Sequence, residues 1–188
     1  MTDPAAPRKG PLLRQIPPGE DRERLVCAEC GFILYENPKI VVGSVVSWGD
    51  RLLLCRRAIH PRKGFWTLPA GYLEMGESTA EGAIREAWEE AQARIELDAL
   101  LAVYNIARLS QVQLIYRARL LSDDIAAGPE SAEVGLFAWE DIPWRDLAFP
   151  SVVWSLREYQ ARLGQSGFPP ASNPAPHESD LPWPPQGL

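Results

Sequence analysis

The sequence predicts an α+β fold, an α/β/α sandwich around a mixed sheet, with a small β ribbon ahead of it. Three observations predict it. Strand-like apolar runs stand on both sides of one amphipathic helix instead of alternating with many. A second helical pattern follows late, from Ser151 to Gly164. A short, proline-punctuated stretch carrying two cysteines precedes the first long apolar run. Periodicity alone does not separate this layout from other mixed folds.

The bulk numbers set the frame. The chain has 188 residues, 46% of them hydrophobic, enough for one compact domain with appendages. A net charge of -6 and a pI near 5.0 argue against binding to nucleic-acid backbones. They also predict repulsion of anionic substrates unless local cations intervene. Three cysteines, Cys27, Cys30 and Cys55, fit a reducing compartment better than a disulfide framework. "MTDPAAPRKGPLL" lacks the apolar run of a signal peptide, and nothing approaches the roughly 20 apolar residues of a membrane span. The expectation is a soluble, cytoplasmic protein with no membrane partner.

Residues 1–12, rich in proline and small side chains, read as a flexible N-terminus. Residues 13–38 read as a small ribbon-like subdomain: "LLRQI" and "ERLVC" around "PPGED", closing on "CAECGFILYENP". The main domain is expected over 39–164. "KIVVGSVVSW" and "RLLLCRRAI" flank "GD", a hairpin signal. In "GFWTLPAGYLE", Pro69 and Gly71 interrupt a regular strand. Ser78 as N-cap with Glu81 three residues on predicts a capping box and a helix start. "RIELDALLAVYNIA", "QVQLIYRARLL" and "EVGLFAWEDI" read as further strands, and the late helix follows. Residues 165–188 have little to bury and read as a proline-rich disordered tail.

The first helix carries an unusual crowd of acids: Glu77, Glu81, Glu86, Glu89 and Glu90. Projection at about 100° per residue puts Glu86, Glu89 and Glu90 on one face, with Ala80, Ile84, Ala87, Trp88 and Ala91 opposite, toward the sheet. Like charges at i, i+4 repel, and acids in the last turns oppose the helix dipole. Arg85 is the nearby cation. A solvated charged face is one reading. A hard divalent ion held by carboxylate oxygens is the other, and spacing alone leaves both open.

The longer pattern, Gly71, Glu77, Arg85-Glu86 and Glu89-Glu90 at these offsets, resembles the signature of the Nudix hydrolase superfamily. The resemblance implies the Nudix-type mixed sheet and hydrolysis of a phosphoanhydride. It implies that Glu86, Glu89 and Glu90 hold divalent ions, Mg²⁺ or Mn²⁺, or position the attacking water. Arg85, paired with Glu77, would orient the carboxylates, and a backbone carbonyl at Ala70 or Gly71 would complete the metal shell. The family pattern then has Gly where this chain has Gln92, which puts a left-handed turn there in doubt at a cost of about 1 kcal/mol.

"YENPK", "LLCRRAI", "GFWTLPAGYLEMGES" and "GPESAEVGLFAWEDIPWRDLAF", within about residues 25–160, resemble a branch containing FAD pyrophosphatases and ADP-ribose pyrophosphatases. That implies a dinucleotide substrate, FAD giving FMN and AMP first, ADP-ribose second. NADH ranks third, because the NADH-cleaving branch carries a "SQPWP"-type segment where this chain has "LSQVQLIY". "LPWPP" occurs only at Leu181–Pro185. Glu130 and Glu133 are candidates for an extra ligand or general base, or else plain surface acids. Phe65 and Trp66 are candidates for stacking on a ring, or else core. Arg57 and Arg56 are candidates for phosphate contact, with strand alternation turning one of them to solvent.

Cys27 and Cys30 form one zinc-ribbon knuckle, but a tetrahedral site needs four ligands and no earlier CxxC precedes it. Completion by Cys55 and His60 has no support in the pattern. The expectation is a degenerate ribbon without zinc, packed around Leu25, Phe32 and Tyr35. Family analogy allows a homodimer. A nucleotide-sensing module without catalysis is the non-enzymatic alternative, and a zinc-ribbon adaptor is a third reading disfavoured by the acidic charge.

Overall fold

The computed structural model describes residues 10–175. Residues 1–9 of the expected flexible N-terminus, and the end of the tail with Leu181–Pro185, lie outside them. Contacts divide the chain between Pro38 and Lys39.

The N-terminal unit is a three-stranded antiparallel ribbon: β1 (Pro11–Gln15), β2 (Arg24–Cys27) and β3 (Ile33–Leu34). Pro11 and Leu12, expected to be loose, belong to β1, and a bulge follows Pro11. Gly31, at φ 72, closes the cysteine knuckle by donating its N–H to the Cys27 carbonyl, while Cys27 N–H donates to the Phe32 carbonyl. Packing around Phe32 and Tyr35 is not what holds it, since both are 57% exposed. Val26 and Cys27 are buried instead. Glu20 accepts hydrogen bonds from Arg24 and the Tyr35 hydroxyl, and the Arg24 guanidinium lies over the Tyr35 ring. A ribbon this short has too little apolar area to enclose two aromatic rings, so polar contacts to their edges take over.

The main domain holds a seven-stranded mixed sheet. Its strands are β4 (Lys39–Trp48), β5 (Arg51–Arg57), β6 (Trp66–Thr67), β7 (Ala70–Tyr72), β8 (Ile95–Ile106), β9 (Gln111–Leu120) and β10 (Ser131–Phe137). The order is β10-β5-β4-β9-β8, with β6 on β5 and β7 on β4. Among the strands of the described residues, the β4–β9 pair is the parallel one, from Lys39↔Gln111 to Ser47↔Arg119. Gly49, at φ 61, turns β4 into β5, as "GD" predicts. The α+β sandwich with a mixed sheet and a small antiparallel N-terminal sheet is the expected class.

Helix α1 (Thr79–Ala91) and helix α2 (Pro150–Ala161) cover the two faces. Alternation along the central strands separates two cores. Val45, Leu52, Leu54 and Ile115 pack with Val152, Val153 and Leu156 of α2. Their neighbours Val46, Leu53, Cys55 and Ala118 pack with Ala87 and Ala91 of α1. This is why β4 and β5 read as continuous apolar runs: both faces are buried.

One expectation fails at the C-terminus. Part of the stretch expected to be structureless, residues 165–175, is built into the domain. Ala171 bridges Ala102 of the edge strand β8 in parallel fashion, and Phe168 packs on the α2 core. The edge strand offers unpaired backbone groups that a polar segment can satisfy. The late helix also stops earlier than expected, at Ala161 rather than Gly164.

Candidate active site

Helix α1 begins as the sequence predicts. Ser78 accepts from the Glu81 N–H while the Glu81 carboxylate accepts from the Ser78 N–H, a closed capping box. Its buried stripe differs from the projection. Ala83, Glu86, Ala87, Glu90 and Ala91 are buried, whereas Ile84 and Trp88 are 42% and 47% exposed. The alanines let the backbone sit close to the sheet, which turns the bulky pair outward. Two of the three carboxylates therefore point inward. Glu86 is 8% and Glu90 4% exposed, and only Glu89 stands half in solvent.

Glycines make room for them. Gly43 in β4 allows β7 to approach: a Cβ there would fall 2.4 Å from the Ala70 Cβ. Gly71 in β7 faces Glu86, and a Cβ at Gly71 would fall 2.4 Å from Glu86 Oε1. Ala70 N–H donates to Glu90 Oε2 at 3.0 Å.

Arg85 ties the acids together. Its Nε and Nη2 donate to Glu77 at 3.0 and 2.7 Å, and its Nη1 donates to Glu86 at 2.8 Å and Glu89 at 2.9 Å. Nη2 also donates to the Tyr72 carbonyl. Bidentate contact with Arg85 holds the Glu77 carboxyl down at about 2. Burial has the opposite effect deeper in. It raises Glu86 despite Arg85, and it pushes Glu90 up to about 8 despite the Ala70 N–H.

The end of α1 anchors the opposite wall. Gln92 takes the left-handed conformation, φ 49 and ψ 27, so the turn that glycine would ease is present without it. Ala126 and Gly128 donate their N–H groups to the carbonyls of Ala91 and Glu90, satisfying two orphan acceptors. This fixes the following loop so that Glu130 adds to the negative field at Glu86 and Glu90.

These side chains border a cleft of about 1350 Å³. Glu86, Glu89, Glu90, Arg85, Ala70, Gly71, Glu130 and Arg57 all line it. Arg57 donates Nε to the Pro61 carbonyl and lies over the Phe149 ring. Glu133, Phe65 and Trp66 are not among its walls. A register shift between Ser131 and Glu133 sends Glu133 to Arg56, at 3.4 Å, so neither of that pair serves the cleft. Phe65 sits under the Arg62 guanidinium, and Trp66 packs edge-on against Phe137 in the core. Trp88, expected to face the sheet, lines the cleft instead, as do Asn105, Arg108, Trp154 and Asn173, which the sequence did not single out. The last four carry no local signal, because the topology alone brings them there.

Among the described residues, no three His, Cys, Asp or Glu side chains stand as a ready-made metal cluster. The donor set nonetheless fits a hard cation. Arg85 Nη1 bridges inward Glu86 and half-exposed Glu89, Glu90 is held by the Ala70 N–H, and all three present carboxylate oxygens. Cys27 is buried and Cys30 exposed, both as free thiols in the N-terminal unit.

A mixed sheet between two helices, with a carboxylate helix facing a glycine-bearing strand, defines a Nudix-type hydrolase domain. The chain belongs to the Nudix family: the NUDIX domain model matches residues 37–157, and the Nudix N-terminal (zinc ribbon) model matches residues 9–36. A NUDIX hydrolase from Nitrosomonas europaea of known crystal structure is 43% identical, with a TM-score of 0.81 over 86% of this chain and 93% of that one. The ADP-ribose pyrophosphatase of Methanocaldococcus jannaschii is 27% identical over 58% of this chain and 68% of its own length. An NAD-capped RNA hydrolase of Pseudomonas aeruginosa is 29% identical over 68% of this chain, which spans 44% of that protein. Nudix hydrolases generally use a divalent metal.

Proposed function

We propose that this chain hydrolyses the pyrophosphate bond of a nucleoside diphosphate derivative, with Mg²⁺ as the divalent ion and Mn²⁺ as a substitute. The observation that carries this is the set Glu86, Glu89 and Glu90, the first two organised by Arg85 and the third held by the Ala70 N–H, at the edge of a cleft of about 1350 Å³. That volume exceeds the usual 300–1,000 Å³ of a small-ligand pocket and suits a dinucleotide. With the Ala70 or Gly71 carbonyl, those carboxylates would hold the ion. When bound, it would screen the phosphate oxygens and acidify a water. Glu130, on the facing loop, is the proposed proton acceptor. Arg57 meets the phosphate with the N–H groups not used on Pro61. Arg85 keeps Glu86 and Glu89 oriented before substrate arrives.

ADP-ribose now stands first among substrates, because the methanogen relative is a protein of that name. FAD, which the flanking segments favour, stands second. Phe65 and Trp66, offered for ring stacking, lie off the cleft and lend it no support. NADH stands third. We propose a cytoplasmic enzyme and, by family analogy, a homodimer, which sedimentation tests.

The deciding experiment follows AMP release from ADP-ribose, FAD and NADH with Mg²⁺, with Mn²⁺ and with EDTA, in wild type and Glu89→Gln. Glu89 is half exposed, so the substitution leaves the fold intact. Metal-dependent release abolished by the substitution is the expected result. FAD cleavage alone would reverse the substrate order. Tight binding without cleavage of any of the three would make the chain a nucleotide sensor.

A further inference from the structure

The cleft has a cation problem. Among the described residues five acids line it: Glu74, Glu86, Glu89, Glu90 and Glu130. Among the same residues three arginines line it, and Arg85 is spent, because all five of its hydrogen-bond donations go to Glu77, Glu86, Glu89 and the Tyr72 carbonyl. Arg57 is partly engaged by Pro61. Arg108 is different: it is exposed at the rim and, among the described residues, has neither an acidic partner nor a hydrogen bond to its guanidinium. Side chains that bind an anion in transit are expected to look like this, charged and unspent, on a backbone that does not move.

The backbone beneath Arg108 is tied down on two sides. It sits in a single 3-10 turn, Ala107–Leu109, closed by Ser110 in the left-handed region, with its N–H on the Ala107 carbonyl. Lys39 N–H of β4 holds the Ser110 carbonyl from one side at 2.9 Å. From the other side comes the C-terminal segment. Ala171 pairs with β8 through Ala171 N–H to the Leu101 carbonyl at 2.9 Å and Val103 N–H to the Ala171 carbonyl at 2.8 Å. Two residues on, the Asn173 side chain reads Asn105 like a strand partner. Its Oδ1 accepts from Asn105 N–H at 2.8 Å, and its Nδ2 donates to the Asn105 carbonyl at 3.0 Å. Phe168, between the guanidinium groups of Arg117 and Arg162, anchors the start of the segment.

We propose that Phe168–Asn173 is a clasp that fixes the Asn105–Leu109 stretch, so that Arg108 receives the phosphate of the AMP half of the substrate. ADP-ribose, FAD and NADH all contain that half, so Arg108 serves affinity for the whole class rather than choice within it. Arg108 touches substrate and Asn173 is a positioning residue. The inference rests on the pyrophosphatase reading above.

The test is calorimetric titration of AMP and of adenosine into the full chain in EDTA, alongside turnover of ADP-ribose with Mg²⁺. Arg108→Ala is expected to weaken AMP about tenfold and to leave adenosine unchanged. Arg108→Lys should restore part of the loss. Asn173→Ala should weaken AMP in the same direction by less. In turnover, Arg108→Ala should raise KM with kcat unchanged and flatten the salt dependence of kcat/KM. AMP affinity unaltered by Arg108→Ala, or a wild type that does not bind AMP, overturns the clasp while intact turnover keeps the pyrophosphatase. Equal losses for AMP and adenosine overturn phosphate recognition. AMP binding that depends on Arg108 in a protein that cleaves none of the three dinucleotides keeps the clasp and removes the catalytic reading.

Discussion

A methyl group at Gly71 tests how tightly the carboxylates are set. The Cβ of Gly71→Ala would lie 2.4, 2.5 and 2.6 Å from Oε1, Oε2 and Cδ of Glu86, where ordinary contact begins near 3.4 Å. The strand cannot retreat, because Gly71 is paired with Val42 of the central strand β4. The carboxylate must give way by about 1 Å, and it is buried and bonded to Arg85 at 2.8 Å. Displacement of that size in a positioning group costs on the order of 10²-fold in rate. Stability should suffer less, since crowding of about 1–3 kcal/mol is partly offset by the roughly 0.4–1 kcal/mol gained when Ala replaces Gly in the unfolded chain. The assay is kcat for AMP release at saturating Mg²⁺ beside thermal unfolding. Gly128→Ala is the contrast, because its Cβ would lie 1.7 Å from the backbone oxygen of Glu89 and strikes the fold itself. It should lower the melting temperature more than Gly71→Ala does. A Gly71→Ala enzyme within threefold of wild-type kcat would refute the claim that Glu86 has no slack.

Three further outcomes are expected. Gln92→Gly should stabilise the protein by about 1 kcal/mol in urea unfolding, because Gln92 holds φ 49 where glycine is free of strain. Arg85 depresses Glu77 to about 2 from 4.5, so that pairing stabilises the fold above pH 4.5 and is lost as pH falls toward 2. Melting temperature between pH 6 and pH 3 should therefore fall less steeply in Glu77→Gln than in wild type. Glu90, raised to about 8, acts with the opposite sign in metal-free protein. Its neutral form stabilises the fold below pH 4.5, and that contribution is lost as pH rises toward 8. In EDTA the melting temperature should decline over pH 5–8, and saturating Mg²⁺ should remove the slope, since a bound cation favours the ionised carboxylate.

The parts legible in the sequence were those written in local spacing. Ser78 and Glu81 mark the helix start because a capping box needs only four residues. Arg85, Glu86, Glu89 and Glu90 mark the site because their offsets carry the family pattern. The inner face of α1 was not legible: a helical wheel sorts by polarity, whereas the helix packs by size, and Ala83, Ala87 and Ala91 permit the closest approach. Glu130 and Glu133 looked alike until the register shift in β10 separated them. The ordered segment at 168–173 carries only tail-like composition, and its partners lie about 70 residues away on β8. Arg108 shows its unspent charge only once every other donor in the cleft has been assigned.

The alternation along β5 has an effect on how inherited variation would read in this protein. Leu53 supports the layer under α1, which carries the carboxylates, and Leu54, one peptide bond away, supports the layer under α2 and the opposite side of the cleft. Nearness along the chain is thus a poor guide to shared consequence here. Lesions at Leu53 and at Cys55 should share one phenotype, and lesions at Leu52 and Leu54 another, because each pair packs in its own core. A genetic map of the strand would alternate, residue by residue, between damage beneath the carboxylate helix and damage beneath α2.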